Sequence, residues 1–251
     1  AYEYAQTIFQ NEKELEAVVE EMKKLKRGTL RLGTARTYAR YFAPFLISHF
    51  RASHPQIKIH LDEGSSLEMI HNLLNLKIEV AIIARVEENP DLCFVPFTQE
   101  ELALIVSPDH HLAGKKAISF DALADEPIIM KETGSGTRRL VNELFSRNKC
   151  TPRVLMETSD AEIIKLMVQH GEGVSFLVRE AVDRELKEGK LVTIPITGHR
   201  MLLDVSIGYL KHQPLSPPGQ AFIKCVEELG TKGMRPQGIG SLMAGMADPK
   251  D

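Results

Sequence analysis

The feature that most constrains the fold is a regular alternation of strand-like and helix-like segments over residues 29–84. Residues 29–34 alternate apolar and polar side chains, as a strand does, and residues 57–61 and 79–84 read as two further strands. The last of these is almost continuously apolar, so we expect it to be buried on both faces. Helix-like segments separate the strands, and strands joined in this way pair in parallel with right-handed crossovers. The pattern therefore predicts an α/β fold.

The second half of the chain repeats this alternation. Strands are predicted at residues 128–130, 154–156, 174–178 and 191–194, and helices at 137–147, about 160–169, 179–187 and 217–229. Between the halves, two separate strands at 92–97 and 102–107 end at Pro108, and a strand near 203–210 could cross back. With 251 residues the chain is long enough for two modest lobes, each with its own core. The expected divisions are a linker helix at 1–28, lobe I at 29–107 plus 208–229, lobe II at 108–207, and a mobile tail at 230–251.

Short motifs indicate where helices begin. Ser65 and Glu68 form a Ser-x-x-Glu capping box, and Ser159 and Glu162 form a second one. A loop is predicted between the first strand, which ends at Thr34, and a helical face that begins at Phe42.

The first 27 residues contain neither Gly nor Pro and read as one long helix. Apolar residues recur at alternating spacings of four and three, which is a heptad seam flanked by Glu and Lys. Asn11 in this seam could set the register of two paired helices. Helix pairing in a dimer is one interpretation, and an amphipathic helix lying on its own domain is the other. The predicted oligomerisation residues are Ile8, Asn11, Leu15, Val18, Met22 and Leu25.

Composition narrows the class of protein. A formal net charge of −3 argues against nucleic-acid binding by this chain alone, and 43% hydrophobic with 26% charged residues is typical of a soluble globular protein. No run of about 20 apolar residues is present, so we expect no membrane span. Three widely spaced cysteines without a Cys-x-x-Cys pair, and a polar, acidic start unlike a signal peptide, indicate the cytoplasm. The chain begins with Ala, so either Met was removed or it is a fragment.

A Gly/Ser/Thr loop at residues 133–138 is the clearest candidate site. It follows a predicted strand and opens a predicted helix, where free backbone N–H groups, hydroxyls and the positive end of the helix dipole favour an anion. The alternative is an ordinary loop in which Ser135 caps the helix.

Other polar loops fall at the ends of predicted strands, where parallel α/β sheets bind ligands. Their hydroxyls and arginines suit a carboxylate, sulfate or phosphoester. Each has a simpler interpretation: Ser65 as an N-cap, Arg85 in an ion pair with Glu87 or Glu88, and Arg36 as a solvated side chain.

The sequence does not favour catalysis or metal binding. The Gly/Ser/Thr loop departs from Gly-x-Ser-x-Gly, and Walker and dinucleotide motifs are absent. The pair His110-His111 lies in a predicted turn, without the spaced partners of a metal site. We therefore expect no catalytic residues, no metal and no cofactor.

The chain resembles the effector-binding part of LysR-type transcriptional regulators. The matching residues, in chain order, are 24–28, 29–33, 50–55 with Ile57, 80–83, 104–112, 134–138 and 171–177. The match departs from the family at His111, where Pro is common, and after residue 229. The family's N-terminal winged helix-turn-helix is also missing, which suggests a truncated chain or one without its own DNA-reading head.

The resemblance implies a two-lobed fold of the type 2 periplasmic-binding-protein kind, with two crossovers and a coinducer cleft between the lobes. It implies dimers through the linker helix and tetramers by pairing of effector domains, with DNA contacted only by the absent head. Carried over by position, the effector-binding residues are Thr34, Arg36, Ser65, Ser66, Arg85, Glu132, Thr133, Gly134, Ser135, Thr137 and Phe176.

The expected function is therefore sensing of a small anionic metabolite by a transcription factor that is a homodimer or homotetramer. A stand-alone solute-binding protein would share the fold, but it would need an export signal and gives the leading helix no role. A small enzyme on the same fold is the other alternative.

Overall fold

The computed structural model describes residues 27–231 together with isolated N-terminal positions. Those positions are Tyr4, Ile8, Phe9, residues 11–13, Leu15, Glu16, Val18, Glu20 and Leu25. Met22 of the predicted seam and the predicted tail from residue 232 onward lie outside the described residues.

Strands and helices alternate along the described chain. The strands are β1 (Thr29–Ala35), β2 (Lys58–Gly64), β3 (Val80–Ala84), β4 (Leu92–Val106), β5 (Pro127–Lys131), β6 (Arg153–Thr158), β7 (Val174–Val178), β8 (Val192–Ile194) and β9 (Leu202–Leu210). The helices are α1 (Arg36–Tyr41), α2 (Ala43–Ser53), α3 (Ser66–Leu74), α4 (Phe120–Ala124), α5 (Gly136–Arg147), α6 (Ala161–Gln169), α7 (Arg179–Lys187) and α8 (Pro217–Thr231).

Within residues 27–231 the strands follow the order β2-β1-β3-β9-β4-β7-β5-β6, and β8 pairs with β4. Strand β1 pairs in parallel with β2 and β3, and β5 pairs in parallel with β6 and β7. Between these two parallel groups, β9 and β4 run antiparallel to their neighbours. The predicted α/β class is confirmed, and the two parallel groups are the sheets of two lobes joined through β4 and β9.

The two strands predicted at 92–97 and 102–107 are one strand, β4. A register shift between Pro96 and Thr98 interrupts its pairing with β9, and from Leu102 onward it pairs with β7 and β8 instead. An irregularity of this kind bends a strand, which allows β4 to serve both lobes. The prediction was wrong because the polar run after Phe97 looks like a loop, although Thr98 and Glu100 are buried.

Residues 36–41, predicted as a loop, form the short helix α1. Its N-cap, Ala35, makes no side-chain cap hydrogen bond, so the sequence holds no start signal. Packing stabilises the helix instead, because Tyr38 is 2% exposed and touches Phe42 edge-to-face in the main core.

The two predicted capping boxes have different outcomes. At α3 the box is present: Glu68 N donates to Ser65 Oγ over 3.1 Å, and Ser65 N donates to the Glu68 carboxylate over 2.5 Å. At α6 the cap is Asp160, whose carboxylate accepts from Glu162 N over 2.8 Å, so the prediction of Ser159 was wrong.

The N-terminal positions that the structure describes up to Glu20 are helical, and Ile8 and Leu15 are 67% and 65% exposed. Leu25 lies in a turn with φ 55° and packs on the chain's own main core. A single helix reaching residue 27 is therefore wrong, because the chain turns at Leu25 to enter β1.

Candidate functional site

The candidate site lies where the first three strands and the strands of the second lobe end at a common cleft. The loop after β5 approaches the start of α3 closely enough for Leu67 N to donate to the carbonyl of Gly134 over 3.2 Å. Gly134 has φ +85°, and a Cβ there would lie 2.9 Å from both Ser65 Oγ and Leu67 Cβ. Glycine is thus required both by the backbone conformation and by the approach of the two lobes.

The start of α5 carries polar groups that are not used in capping the helix. Ser135 is the N-cap but makes no side-chain cap hydrogen bond, and it is 7% exposed. Thr137 in the first turn is 3% exposed. An N-terminal turn with free N–H groups and an unengaged hydroxyl suits an anion or a polar ligand atom.

A small hollow of about 10 Å³ separates this helix start from the first lobe. A volume of that size holds roughly one water molecule. The residues lining it come from both lobes and include Arg36, Tyr38, Ser65, Ser66, Glu132, Ser135 and Thr137.

Arg36 connects the lobes electrostatically at the edge of this hollow. Its Nη1 lies 3.3 Å from Glu68 Oε2 and 3.4 Å from Glu132 Oε1. The second carboxylate oxygen of Glu132 lies 3.1 Å from the buried Nζ of Lys131, which also donates to the carbonyl of Ser159. Burial lowers the pKa of Lys131, while Glu132 acts in the opposite direction. The result is a cluster of two cations and two carboxylates at the mouth of the cleft.

A larger hollow of about 370 Å³ continues from Arg36 toward the second lobe. It passes between α1 and the starts of α6 and α7, and Arg40 bridges it by an ion pair of 2.7 Å to Glu162. Polar groups converge here with the ends of β5 and β7, in a volume suited to a small metabolite. Its lining includes Arg36, Arg40, Glu63, Lys131, Thr137, Ser159 and Asp160.

The structure brings most of the predicted site residues together. Arg36, Ser65, Ser66, Glu132, Ser135 and Thr137 line the small hollow, and Gly134 forms the adjoining contact between the lobes. Three of the predicted hydroxyls already have intramolecular bonds, and the first is Ser65 Oγ, which accepts from Glu68 N in the capping box. Ser66 Oγ accepts from Ala84 N over 3.3 Å, and Thr34, with no exposed surface, donates its hydroxyl to the carbonyl of Ala35.

Three predicted residues lie elsewhere. Arg85 pairs with Glu88 at 3.1 Å and lies 5.4 Å over the ring of Phe94, as its simpler interpretation predicted. Thr133 lines a separate surface hollow beside Leu67. Phe176 is 2% exposed and belongs to the main core, because its side of β7 faces that core and not the cleft.

Sequence reasoning missed Tyr38, Arg40 and Lys131. Tyr38 lines the small hollow, and its buried hydroxyl has no hydrogen-bond partner among the described residues. Burial, and then the nearby carboxylates of Glu100 and Asp204, raise the pKa of this hydroxyl, so it stays a protonated donor. Only Lys131 carried a usable signal, since it ends a strand directly before the Gly/Ser/Thr loop.

Two lobes, a mixed sheet with paired crossing strands and a polar cleft between them define a type 2 periplasmic-binding-protein-like domain. The model of the LysR substrate binding domain matches residues 23–230, and the chain belongs to this family. The chain is thus the effector-sensing domain of a LysR-type transcriptional regulator, as the resemblance implied.

Two similar proteins support this assignment. The chain is 35% identical over 210 residues to the HTH-type transcriptional activator CmpR of Synechocystis sp., covering 84% of this chain and 69% of CmpR. It is 32% identical over 221 residues to the RuBisCO operon transcriptional regulator of Allochromatium vinosum, covering 88% of this chain and 73% of that protein. These relatives are transcriptional regulators, not enzymes.

Solved structures share the fold. The regulatory domain of Synechocystis PCC6803 CcmR in complex with 2-PG matches with a TM-score of 0.75 and 32% identity, over 83% of this chain and 99% of that one. The effector binding domain of QuiR in complex with shikimate matches with a TM-score of 0.75 and 26% identity, over 82% of this chain and 98% of that one.

Proposed function

We propose that this domain senses a small anionic metabolite held between its lobes and transmits its presence through the oligomer. The supporting observation is the bridge from Arg36 to Glu132, which spans the cleft beside the unengaged hydroxyl of Ser135. In this arrangement the Glu132 carboxylate pairs with Arg36 at the place where we expect the anionic ligand to bind. A ligand that replaces it on Arg36, and also reaches the start of α5, changes the contacts between the lobes.

The neighbouring cations make a negative ligand favourable. Arg36, Arg40 and Lys131 all line the larger hollow, and each is paired with a carboxylate of the second lobe or of its loops. An anion that replaces Glu132 on Arg36 leaves this carboxylate still paired with Lys131, so no buried charge becomes unpaired. Relatives bind compounds of suitable size: 2-PG in CcmR and shikimate in QuiR.

Coupling to oligomer geometry follows from linkage. A ligand shifts an equilibrium between lobe arrangements only by its different affinity for each of them. Here the different contacts are the ion pairs between the lobes. We propose that the division into lobe I (29–107 plus 208–229) and lobe II (108–207) describes the moving parts, and that a separate head domain reads DNA.

Replacing Ser135 by Met tests the site. The larger side chain fills the small hollow, so we expect the affinity for 2-PG, shikimate or inorganic phosphate, measured by isothermal titration calorimetry, to fall at least tenfold, about 1.4 kcal/mol. Ser146→Met, on an exposed position at the other end of α5, is the matched control. Unchanged affinity in Ser135→Met with an intact circular dichroism spectrum would show that the site is elsewhere.

Replacing Glu132 by Gln tests the exchange of anions. Removal of this charge frees Arg36, so the same ligand should bind up to about fivefold more tightly. Glu68→Gln removes the other carboxylate beside Arg36 without touching Lys131, and should have a smaller effect. Equal or weaker binding to Glu132→Gln, compared with the parent, contradicts competition between Glu132 and the ligand.

We also propose a cytoplasmic homodimer, or a homotetramer built from it, assembled partly through the N-terminal helix. The exposed Ile8 and Leu15 are available to a partner helix. None of the three cysteines, all of which lie in the described part of the chain, forms a disulfide, in keeping with a reducing compartment. Among the described helices, none has the length and apolar character needed to cross a bilayer.

A further inference from the structure

Two adjacent histidines and a glutamate converge in the second lobe, far along β5 from the cleft. His110 and His111 lie in the turn after β4, and Glu126 directly precedes β5, whose other end carries Lys131 and the Gly/Ser/Thr loop. His111 Nε2 lies 2.9 Å from Glu126 Oε1, and His110 Nε2 lies 3.5 Å from Glu126 Oε2. One donor atom from each residue lies within 4.8 Å of the other two.

These donors and spacings suit a tetrahedral transition-metal ion. Zn²⁺ binds imidazole nitrogen and carboxylate oxygen at roughly 2.0–2.2 Å, so neighbouring ligand atoms lie roughly 3.3 Å apart. The histidine–glutamate distances of 2.9 and 3.5 Å fall on either side of that value, although they run to the two different oxygens of the carboxylate. Two nitrogens and one oxygen select a Zn²⁺-like ion over Mg²⁺ or Ca²⁺, which prefer oxygen alone. Three protein ligands leave one coordination position for water.

Burial holds two of the ligands in place and leaves the third open to solvent. The side chains of His110 and Glu126 are 10% and 13% exposed, whereas that of His111 is 66% exposed. The two imidazole rings lie 4.5 Å apart and are tilted by 30°, so both can face one ion. A metal ion can thus enter from the His111 side onto a partly preformed pair.

One contact of His110 opposes metal binding at its Nε2. His110 Nδ1 accepts a long hydrogen bond of 3.3 Å from Leu112 N, which places the proton of the neutral ring on Nε2. A neutral imidazole carries one N–H proton, so a metal bound at Nε2 requires that proton to move to Nδ1, which breaks the Leu112 contact.

We propose that His110, His111 and Glu126 form a binding site for a Zn²⁺-like transition-metal ion. The site does not depend on the proposed effector cleft. It joins the turn after β4 to the start of β5, two segments that are otherwise separated along the chain by α4.

Calorimetry of the full, tag-free chain with Zn²⁺, after treatment with a chelator, tests the proposal. We expect one equivalent of Zn²⁺ to bind. His111→Gln and Glu126→Gln should each weaken binding by more than about tenfold, since loss of even an outer-shell partner costs metal sites roughly 10–100-fold. The Co²⁺ complex should show the visible absorption of a tetrahedral site.

His60→Gln is the matched control, because this exposed histidine pairs with a single carboxylate, that of Asp62 at 3.2 Å. Zn²⁺ affinity should be unchanged in it. Absence of binding by the parent chain, or equal affinity in the parent and His111→Gln, would overturn the assignment. His111→Gln changes an exposed side chain and should fold. It therefore tests the site even if Glu126→Gln does not fold.

Discussion

At the scale of single residues, the site depends on a few positions that only one residue type can fill. Gly134 combines a positive φ with direct contact between the lobes. Its importance followed from the sequence, because the Gly/Ser/Thr loop stood between a strand and a helix. The inward burial of Phe176 did not follow, because an apolar residue on a strand buried on both faces gives no sign of which face it occupies.

Replacing Gly134 by Ala tests this close approach. Left-handed backbone alone costs Ala roughly 1–2 kcal/mol, and crowding against Ser65 and Leu67 should add about 1–3 kcal/mol. Gly171→Ala is the control, because Gly171 has φ +78° with open space around it. Urea denaturation of both variants measures the difference, and equal losses of unfolding free energy would mean that the lobes yield at this contact.

At the scale of helices and strands, local signals succeeded where they were chemically unambiguous. The Ser65 capping box opens α3, and the continuously apolar β3 is buried throughout. Signals failed where two neighbouring residues could perform the same task. Ser159 and Asp160 both suit an N-cap, and the chain uses Asp160 while the carbonyl of Ser159 accepts from Lys131. Similarly, α1 forms with no capping side chain because its inner face is buried.

The assignment of Asp160 as the N-cap of α6 can be tested by comparing two substitutions. Asp160→Ala should lower the free energy of unfolding by about 1 kcal/mol, the usual loss for an N-cap. Ser159→Ala should stay within about 0.5 kcal/mol of the parent, since its contact uses only the backbone. Thermal and chemical denaturation distinguish the two. A larger loss in Ser159→Ala would restore the interpretation taken from the sequence.

At the scale of the whole molecule, the N-terminal segment is the feature that bears on how two chains assemble. Several apolar side chains of the N-terminal segment are exposed, whereas Leu25 packs on the chain's own core. Leu25 thus fixes the segment to its own domain, and we propose that the exposed Ile8 and Leu15 meet a partner helix.

The paired charge variant Ile8→Glu/Leu15→Glu should shift the protein from dimer toward monomer. Each change puts a carboxylate into the apolar seam, which a paired helix cannot solvate. Light scattering across a concentration series measures the mass, and Lys13→Glu, off the seam, is the control. A parent chain that is monomeric, or a dimer that is equally strong in the paired variant, contradicts assembly through this segment.

The sequence by itself determined most of the strands and helices, the α/β class and the loop at the start of α5, because periodicity, capping and glycine placement act over a few neighbouring residues. The tertiary structure alone decided that β4 is one strand serving both lobes, that Arg36 meets Glu132 across the cleft, and that Glu126 reaches the histidine pair. Those outcomes depend on contacts between residues far apart in the chain. Such contacts are fixed by burial and charge pairing in the folded molecule, which no local pattern records.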